Sequence, residues 1–440
     1  ISSLTDSLWR SVSLALMSAL VAGLNRRFSL NFQERFLIAF LVLFAAAVRF
    51  INLGRPNELV FDEVYYIDGA RDYLNSGVEL DKGAAEFVVH PPLGKWAIAL
   101  GIQLFGDNPF GWRFSAAVIG VLSVLLVYLI AQKLFSSFFL SFVATALMTL
   151  DGLHLVMSRT ALLDIFLSFL LLLSFYLLIT NRYWLMGITL GLALATKWSA
   201  VYVVVALGIF LLIRQRHVIK TVLQCALLPF AVYLVSWIGW FLSDKGWSRN
   251  YSSNPFVSWY HYHREILNFH TGLTTEHSYE ANAWNWLILG RPTSFFYATP
   301  KNCGSASCSQ EVLAIGTPLL WWIGLISLFV TFGYFIYRRE RSAGLILMFW
   351  LASYLPWLAF PDRTMFFFYA IAFQPFMILG ITYVLQKLLE NPETRAIRQK
   401  YSLGVLTLIF LCFLYFFPLF VGGVMNYSDW YARMWFANWI

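Results

Sequence analysis

From residue 36 to residue 424 the chain is a succession of apolar blocks, most of them separated by short polar breaks and two by long segments. Most blocks run for about 18–25 residues, the length over which a helix rising 1.5 Å per residue crosses the ~30 Å hydrocarbon core of a bilayer. The blocks lie at 36–53, 114–132, 138–157, 161–180, 183–197, 199–213, 221–243, 313–336, 343–360, 365–386 and 403–424. They predict an all-α polytopic membrane protein with about eleven transmembrane helices. Composition closes off a water-soluble fold: 59% of the 440 residues are apolar and only 12% are charged, against roughly 25% charged in soluble domains.

The apolar, Ser-containing stretch at 11–24 is followed by Arg26 and Arg27 and predicts a helix lying on the membrane surface. No small-residue cleavage site follows it, which argues against a signal peptide. Short loops orient the chain through their Lys and Arg. With the N-terminus inside, 16 of the 31 basic residues fall in short cytoplasmic segments, among them Lys133, Arg214, Lys220, Arg338, Arg339, Arg398 and Lys400. The net charge of +8 is therefore read as anchoring at the inner leaflet and not as nucleic-acid binding. This orientation predicts a plasma-membrane protein with a cytoplasmic segment at 1–35, seven spans in 36–243, four more in 313–424, and an external C-terminus at 425–440.

Two extracytoplasmic segments, 54–113 and 244–312, are too long to be turns, and function is expected there. The first holds nine acidic residues, from Glu58 to Asp107; the second is rich in Trp, Tyr and His. Cys303 and Cys308 lie in the second segment, on a face that is usually oxidising, and predict a small disulfide loop. Cys225 and Cys412 fall inside spans and are read as packing residues.

The adjacent carboxylates Asp62 and Glu63, in FDEVYY, are costly near a membrane unless solvated, paired or used. They predict a general base beside a residue that orients it or tunes its proton affinity. Arg49, Arg113, Arg159 and Lys197 stand at the external ends of spans, around this acidic segment. Four cations so placed suit an anion at the membrane surface, such as a lipid phosphate. His90 and Lys95 sit in the rigid stretch His90-Pro91-Pro92-Leu93-Gly94-Lys95, and Asp164, inside a span, is expected to pair with a base such as Arg159. These parts suit attack of a hydroxyl on a sugar whose leaving group is a lipid phosphate. No D-x-D motif or His cluster of metal-ligand character is present in the sequence, so no cofactor is required for such a donor, while assistance by a divalent ion stays open.

FDEVYY, HPPLGKW, WRFSAAVIG, SRTALLD and ATKWSA, in this order, together with WNWLILGRPTSFFY at 284–297, resemble the protein O-mannosyltransferase family of the C-type glycosyltransferase fold, in its bacterial, actinobacterial form. The resemblance covers most of the chain. It implies Asp62 as catalytic base and Glu63 beside it in the acceptor site. Arg49, Arg113, Arg159 and Lys197 would serve the donor phosphate, with His90, Lys95 and Trp198 as site support. It implies a mannosyl donor on a polyprenyl phosphate, a Ser or Thr acceptor on an exported protein, inversion at the anomeric carbon, and the secretion machinery as an expected neighbour. Fungal and animal members carry a folded β-trefoil insert after the seventh span, where this chain has only the 244–312 segment.

Two other readings fit part of the sequence. A transferase of the same fold acting on a lipid acceptor would share the acidic pair, but HPPLGK and TKW favour the protein-mannosylating branch. A transporter would explain many spans, but no pair of Gly- or Pro-broken helices recurs in matching halves, and the acidic residues gather in a loop and not at the midplane.

Overall fold

The structure, a computed structural model, describes residues 31–301 and 303–440. The surface helix expected over 11–24 lies outside the described residues. The first half of the chain forms helices α1 (Phe32–Phe50), α2 (Glu63–Ser76), α3 (Leu93–Phe105), α4 (Pro109–Phe135), α5 (Phe138–Thr149), α6 (Gly152–Met157), α7 (Leu163–Ile179), α8 (Tyr183–Leu194) and α9 (Ala200–Gln215). There follow α10 (Val218–Val222), a π-turn at Leu223–Leu227, α11 (Leu228–Ser236), α12 (Ile238–Leu242), α13 (Pro255–Gly272) and α14 (Ala283–Trp286). The last part holds α15 (Pro318–Arg338), α16 (Arg341–Tyr354), α17 (Gln374–Leu388), α18 (Pro392–Val421) and α19 (Tyr427–Tyr431). Among the described residues, five helical stretches are long and apolar enough to cross a membrane, namely Pro109–Phe135, Val218–Ser236, Pro318–Arg338, Arg341–Ala359 and Pro392–Val421. Five further apolar helices are shorter.

The all-α expectation needs correcting. Thr293–Ala298, Cys308–Ala314 and Val424–Asn426 form a three-stranded antiparallel sheet, and Leu80–Asp81 pairs with Ala84–Ala85 in a short hairpin. Cys303 and Cys308 form a disulfide at the turn between the first two strands of the larger sheet. Both segments read as external loops are built: α2 and α3 occupy the first, while α13, α14 and two strands occupy the second.

Several apolar blocks are also less regular than a single helix, each for a visible reason. The block at 138–157 breaks between α5 and α6, where Asp151 caps α6 by accepting from the His154 N–H at 2.8 Å. The other Asp151 oxygen accepts from Trp321 Nε1 at 2.6 Å, and the Leu150 carbonyl accepts from Thr317 Oγ1 at 2.6 Å. Side chains from α15 and its N-cap thus satisfy the polar groups that the break exposes, a condition for irregular backbone inside a membrane protein. The block at 365–386 begins as a 3-10 turn, Phe367–Ala372, before α17. Its leading residues are tied to the second long segment instead: Thr364 Oγ1 donates to the Thr275 carbonyl at 2.5 Å, and the Met365 carbonyl accepts from the Ala281 N–H at 2.7 Å.

Small residues bring the helices close, as expected where hydrophobic burial gives no driving force between spans. Ser174 on α7 and Thr189 on α8 share a hydrogen bond of 2.9 Å across their interface. Gly120 on α4 lies against a buried knot in which Arg49 donates Nε to Ser158 Oγ at 3.3 Å and holds His154 Nδ1 through Nη2 at 2.8 Å. A Cβ at Gly120 would collide with Ser158 Oγ and lie 3.0 Å from Arg49 Nε. Gly120→Ala is therefore expected to lower stability by about 1–3 kcal/mol, the usual cost of overpacking. Gly404→Ala, where nothing lies within 4 Å, should leave it unchanged or raised. Thermal unfolding of both variants in detergent checks this; equal midpoints would refute the packing assignment.

Candidate active site

Glu63 opens α2, and its carboxylate is fully engaged. Arg113 donates Nε to Oε1 and Nη2 to Oε2, each at 2.8 Å. The backbone N–H of Ala161 also donates to Oε1 at 2.8 Å, and that of Val60 to Oε2 at 3.0 Å. Both side chains are fully buried. The remaining Arg113 donors go to the carbonyls of Pro56 and Glu58, at 2.8 Å each, and Leu53, at 3.4 Å. One ion pair thus joins the stretch 53–63, α4 and the turn before α7.

Asp62 is held differently. Phe61, immediately before it, adopts the left-handed backbone conformation (φ 48°) and is fixed by ring contacts to Phe295, at 5.0 Å and stacked, and to Phe366 and Phe368, at 5.4 and 5.6 Å. That unusual turn sets where the next side chain goes. Asp62 is half-buried and accepts from the Tyr66 hydroxyl at 3.5 Å. Burial, opposed by the positive field of Lys197, pushes its carboxyl up to about 6.

The four cations anticipated around this segment do not share one role in the structure. Arg49 is fully buried and donates to the Ala45 carbonyl, Ser158 and His154. Arg159 donates to the carbonyls of Val48, Arg49, Ile51 and Asn52 at 2.9–3.0 Å, closing the C-terminal end of α1. A cation there satisfies orphan carbonyls and complements the helix dipole. The pairing expected between Asp164 and Arg159 is not formed: Asp164 binds Lys197 through both oxygens, at 2.8 and 3.0 Å. Lys197 follows the end of α8 and can reach α7, whereas Arg159 is directed back to α1.

Lys197 also lies 4.2 Å from the centre of the Tyr369 ring and faces a cavity of about 200 Å³. Lys197, Arg363, His90, His270, Trp198 and Tyr369 are among its lining residues. Arg363 escaped sequence reasoning because it sits in the four-residue break Pro361–Thr364, which reads as a tight turn between two apolar blocks. A lone cation in a turn that the apolar blocks place on the same side as Lys197 was the available signal. Arg363 donates Nε to the His270 carbonyl and Nη1 to its neighbour Thr364, both at 3.0 Å, which holds the guanidinium in place. Lys95 lies elsewhere, in a buried ion pair with Glu79 that joins α3 to the chain after α2.

Trp198 connects this cavity to a larger one. It donates Nε1 to the Tyr233 hydroxyl at 2.9 Å and also lines an apolar groove of about 640 Å³ between α9 and the 218–236 helix. The groove follows α9 from Val201 to Leu212, about 17 Å at 1.5 Å per residue. Among the described residues no group of three or more His, Cys, Asp or Glu is placed to hold a metal ion. A carboxylate of raised proton affinity, a cavity bearing two cations and an apolar groove leading away from it suit group transfer from a donor that is anionic at one end and a hydrocarbon chain at the other.

Comparison with solved structures agrees with a membrane glycosyltransferase fold of the C type. The Saccharomyces cerevisiae protein O-mannosyltransferase Pmt1-Pmt2 complex bound to the sugar donor superposes with a TM-score of 0.78 at 15% identity, over 96% of this chain and 94% of the other. ArnT from Cupriavidus metallidurans gives 0.57 at 15% identity, over 88% and 76%. Residues 39–112 and 89–240 match models of dolichyl-phosphate-mannose-protein mannosyltransferase, and residues 255–439 match the C-terminal four-helix region of protein O-mannosyltransferase. The polyprenol-phosphate-mannose–protein mannosyltransferase of Mycolicibacterium smegmatis is 34% identical, over 91% of this chain and 92% of its own. That of Corynebacterium glutamicum is 31% identical over the same shares. The chain belongs to the protein O-mannosyltransferase family.

The geometry separates the two neighbouring carboxylates by stability. Glu63→Gln leaves the Arg113 charge buried without its counter-ion and should destabilise the fold by about 3–5 kcal/mol, the cost of breaking a buried pair. Asp62→Asn breaks no ion pair and should not lower the unfolding midpoint. Thermal unfolding of the two variants side by side tests this, and a Glu63→Gln midpoint equal to wild type would dismiss the clamp.

Proposed function

We propose that this chain transfers mannose from polyprenyl-phosphate mannose to the hydroxyls of Ser and Thr on exported proteins, at the extracytoplasmic face of the plasma membrane, with inversion at the anomeric carbon. The observation that carries the reading is the division of labour at residues 62 and 63. Glu63 has every oxygen committed to the fold, whereas Asp62 is half-exposed and free to take a proton.

In this mechanism the acceptor oxygen attacks the anomeric carbon while the bond from that carbon to the phosphate oxygen breaks. The bonding electrons leave with the phosphate, and the hydroxyl proton passes to Asp62. Lys197 and Arg363 face the charge that develops on the departing phosphate, the kind of preorganised stabilisation that lowers such barriers. Asp164 pairs with Lys197 through both oxygens and fixes its position. The prenyl chain lies in the apolar groove beside α9, which meets the headgroup cavity at Trp198. Arg113, Arg49 and Arg159 position the elements that carry the site and do not touch the donor. A carboxyl raised to about 6 is a stronger base than an ordinary one yet remains mostly ionised at neutral pH.

Purified protein given labelled polyprenyl-phosphate mannose and a Ser/Thr-rich peptide should transfer label to the peptide; transfer only to lipid would replace protein with a lipid acceptor. Asp62→Asn should reduce turnover by about two to four orders of magnitude while polyprenyl phosphate still binds. Near-normal turnover would remove Asp62 as the base. Because the base acts ionised, kcat should fall as pH drops through about 6, and a profile flat from pH 5 to 7.5 would contradict the assignment.

The eleven-span topology is tested separately by single cysteines in a background lacking Cys225 and Cys412. Lys82→Cys should label from outside intact cells and Glu340→Cys only after permeabilisation. The reverse pattern would put the site on the cytoplasmic face.

A further inference from the structure

Three histidines lie along the two cavities, and their ring nitrogens are in different states. His263 on α13 has both engaged: Nδ1 donates to the Trp259 carbonyl at 2.8 Å, and Nε2 meets the Tyr233 hydroxyl at 2.7 Å. Tyr233 accepts from Trp198, so its own proton goes to His263. His270, two turns further along the same helix, engages only Nε2, on the Val89 carbonyl at 3.0 Å. A carbonyl can only accept, so the proton sits on Nε2 and Nδ1 is left as a bare acceptor. His90, from the HPP stretch, has no partner at its buried Nδ1, and its ring lies 5.4 Å from that of His270 at 32°. Both rings line the cavity that holds Lys197 and Arg363.

These two imidazoles are neutral. Burial pushes His270 down to about 4 and His90 well below its ordinary value, and Lys197 and Arg363 push both the same way. A phosphate carries only acceptors, so a neutral ring with a bare lone pair repels it, while the two cations attract it. The cavity therefore carries two kinds of recognition side by side: cations for an anion, and two neutral imidazoles, with a bare acceptor on His270 and an unpartnered nitrogen on His90 that no hydrogen bond assigns as donor or acceptor, for a group that can both donate and accept. Hydroxyl groups are such a group. Trp198, 5.9 Å from the His270 ring, supplies an apolar face next to them.

We propose that His90 and His270 bind hydroxyls of the donor's sugar ring and thereby select the sugar, while Lys197 and Arg363 hold the phosphate. This rests on the reading of the cavity as the donor headgroup site. It assigns the two residues a contact with substrate, separate from the base and from the phosphate grip.

The test measures binding of three lipids to the full-length protein in nanodiscs: polyprenyl phosphate, polyprenyl-phosphate mannose and polyprenyl-phosphate glucose. His270→Phe and His90→Phe keep an aromatic ring but remove its nitrogens. Each should weaken polyprenyl-phosphate mannose about five- to tenfold, the scale of one lost hydrogen bond, and narrow the preference for mannose over glucose. Affinity for sugar-free polyprenyl phosphate should not change. His270→Asn, which returns an acceptor near the Nδ1 position, should restore part of the loss. If His90→Phe does not fold, His90→Asn and the His270 variants decide. Equal weakening of the sugar-free lipid, or unchanged affinity for the mannosyl lipid, overturns the inference. The underlying reading fails on a different result: polyprenyl phosphate binding that survives both Lys197→Ala and Arg363→Ala.

Discussion

The buried pair of Glu63 and Arg113 holds together three pieces of chain that would otherwise be independent: the stretch 53–63, the start of α4 and the turn before α7. Two charges sealed from water are tolerable only when their remaining hydrogen-bonding capacity is also met, and here it is, by Ala161 and Val60 on the acid and by three carbonyls on the base. Glu63 begins α2, so clamping its side chain fixes the residue before it. Asp62 thus inherits a defined position without a strong partner of its own, and its carboxylate stays available.

Three arginines in and beside this knot follow a common logic. Arg113 and Arg159 direct donors to backbone carbonyls at the end of α1 and the chain just beyond, and Arg49 reaches the Ala45 carbonyl within α1. A helix that ends near the hydrocarbon boundary leaves carbonyls that neither lipid nor its own backbone can satisfy, and guanidinium groups with five donors each meet that demand. Lys197 and Arg363 stand apart because they line a cavity. Lys197 has Asp164 as counter-ion, which allows a cation to persist there before any anionic ligand arrives.

Much of this was legible in the sequence, and the remainder was hidden for definable reasons. Every apolar block contains helix, since block length and hydropathy depend on local composition alone. FDEVYY stood out because paired acids at a membrane are costly. Partner choice was not legible: Arg113 and Lys197 look alike as cations at span ends, and only the fold shows that one faces Glu63 and the other a cavity. The break at Asp151 was invisible because its compensating donors, Thr317 and Trp321, lie more than 160 residues away. The strand Thr293–Ala298 was read as part of an aromatic loop, since its strongest partner, Cys308–Ala314, is itself flanked by polar and small residues.

The state of Asp62 ties the site back to the clamp. Its carboxyl titrates near 6 in the folded chain, against an ordinary value of 3.8, so between those values the folded state binds more protons than the unfolded one. Stability contributed by the protonated form is therefore present below about pH 4 and is lost as pH rises through about 6. At neutral pH the ionised base opposes folding. The same burial that raises its basicity is the source of that opposition, so a stronger base at this position means a less stable local fold. Glu63 and Arg113 act against it with a buried ion pair that is fully hydrogen-bonded at both ends. Two adjacent acids with opposite fates, one neutralised by the fold and one left exposed to it, are how the chain keeps a destabilising group in a fixed place.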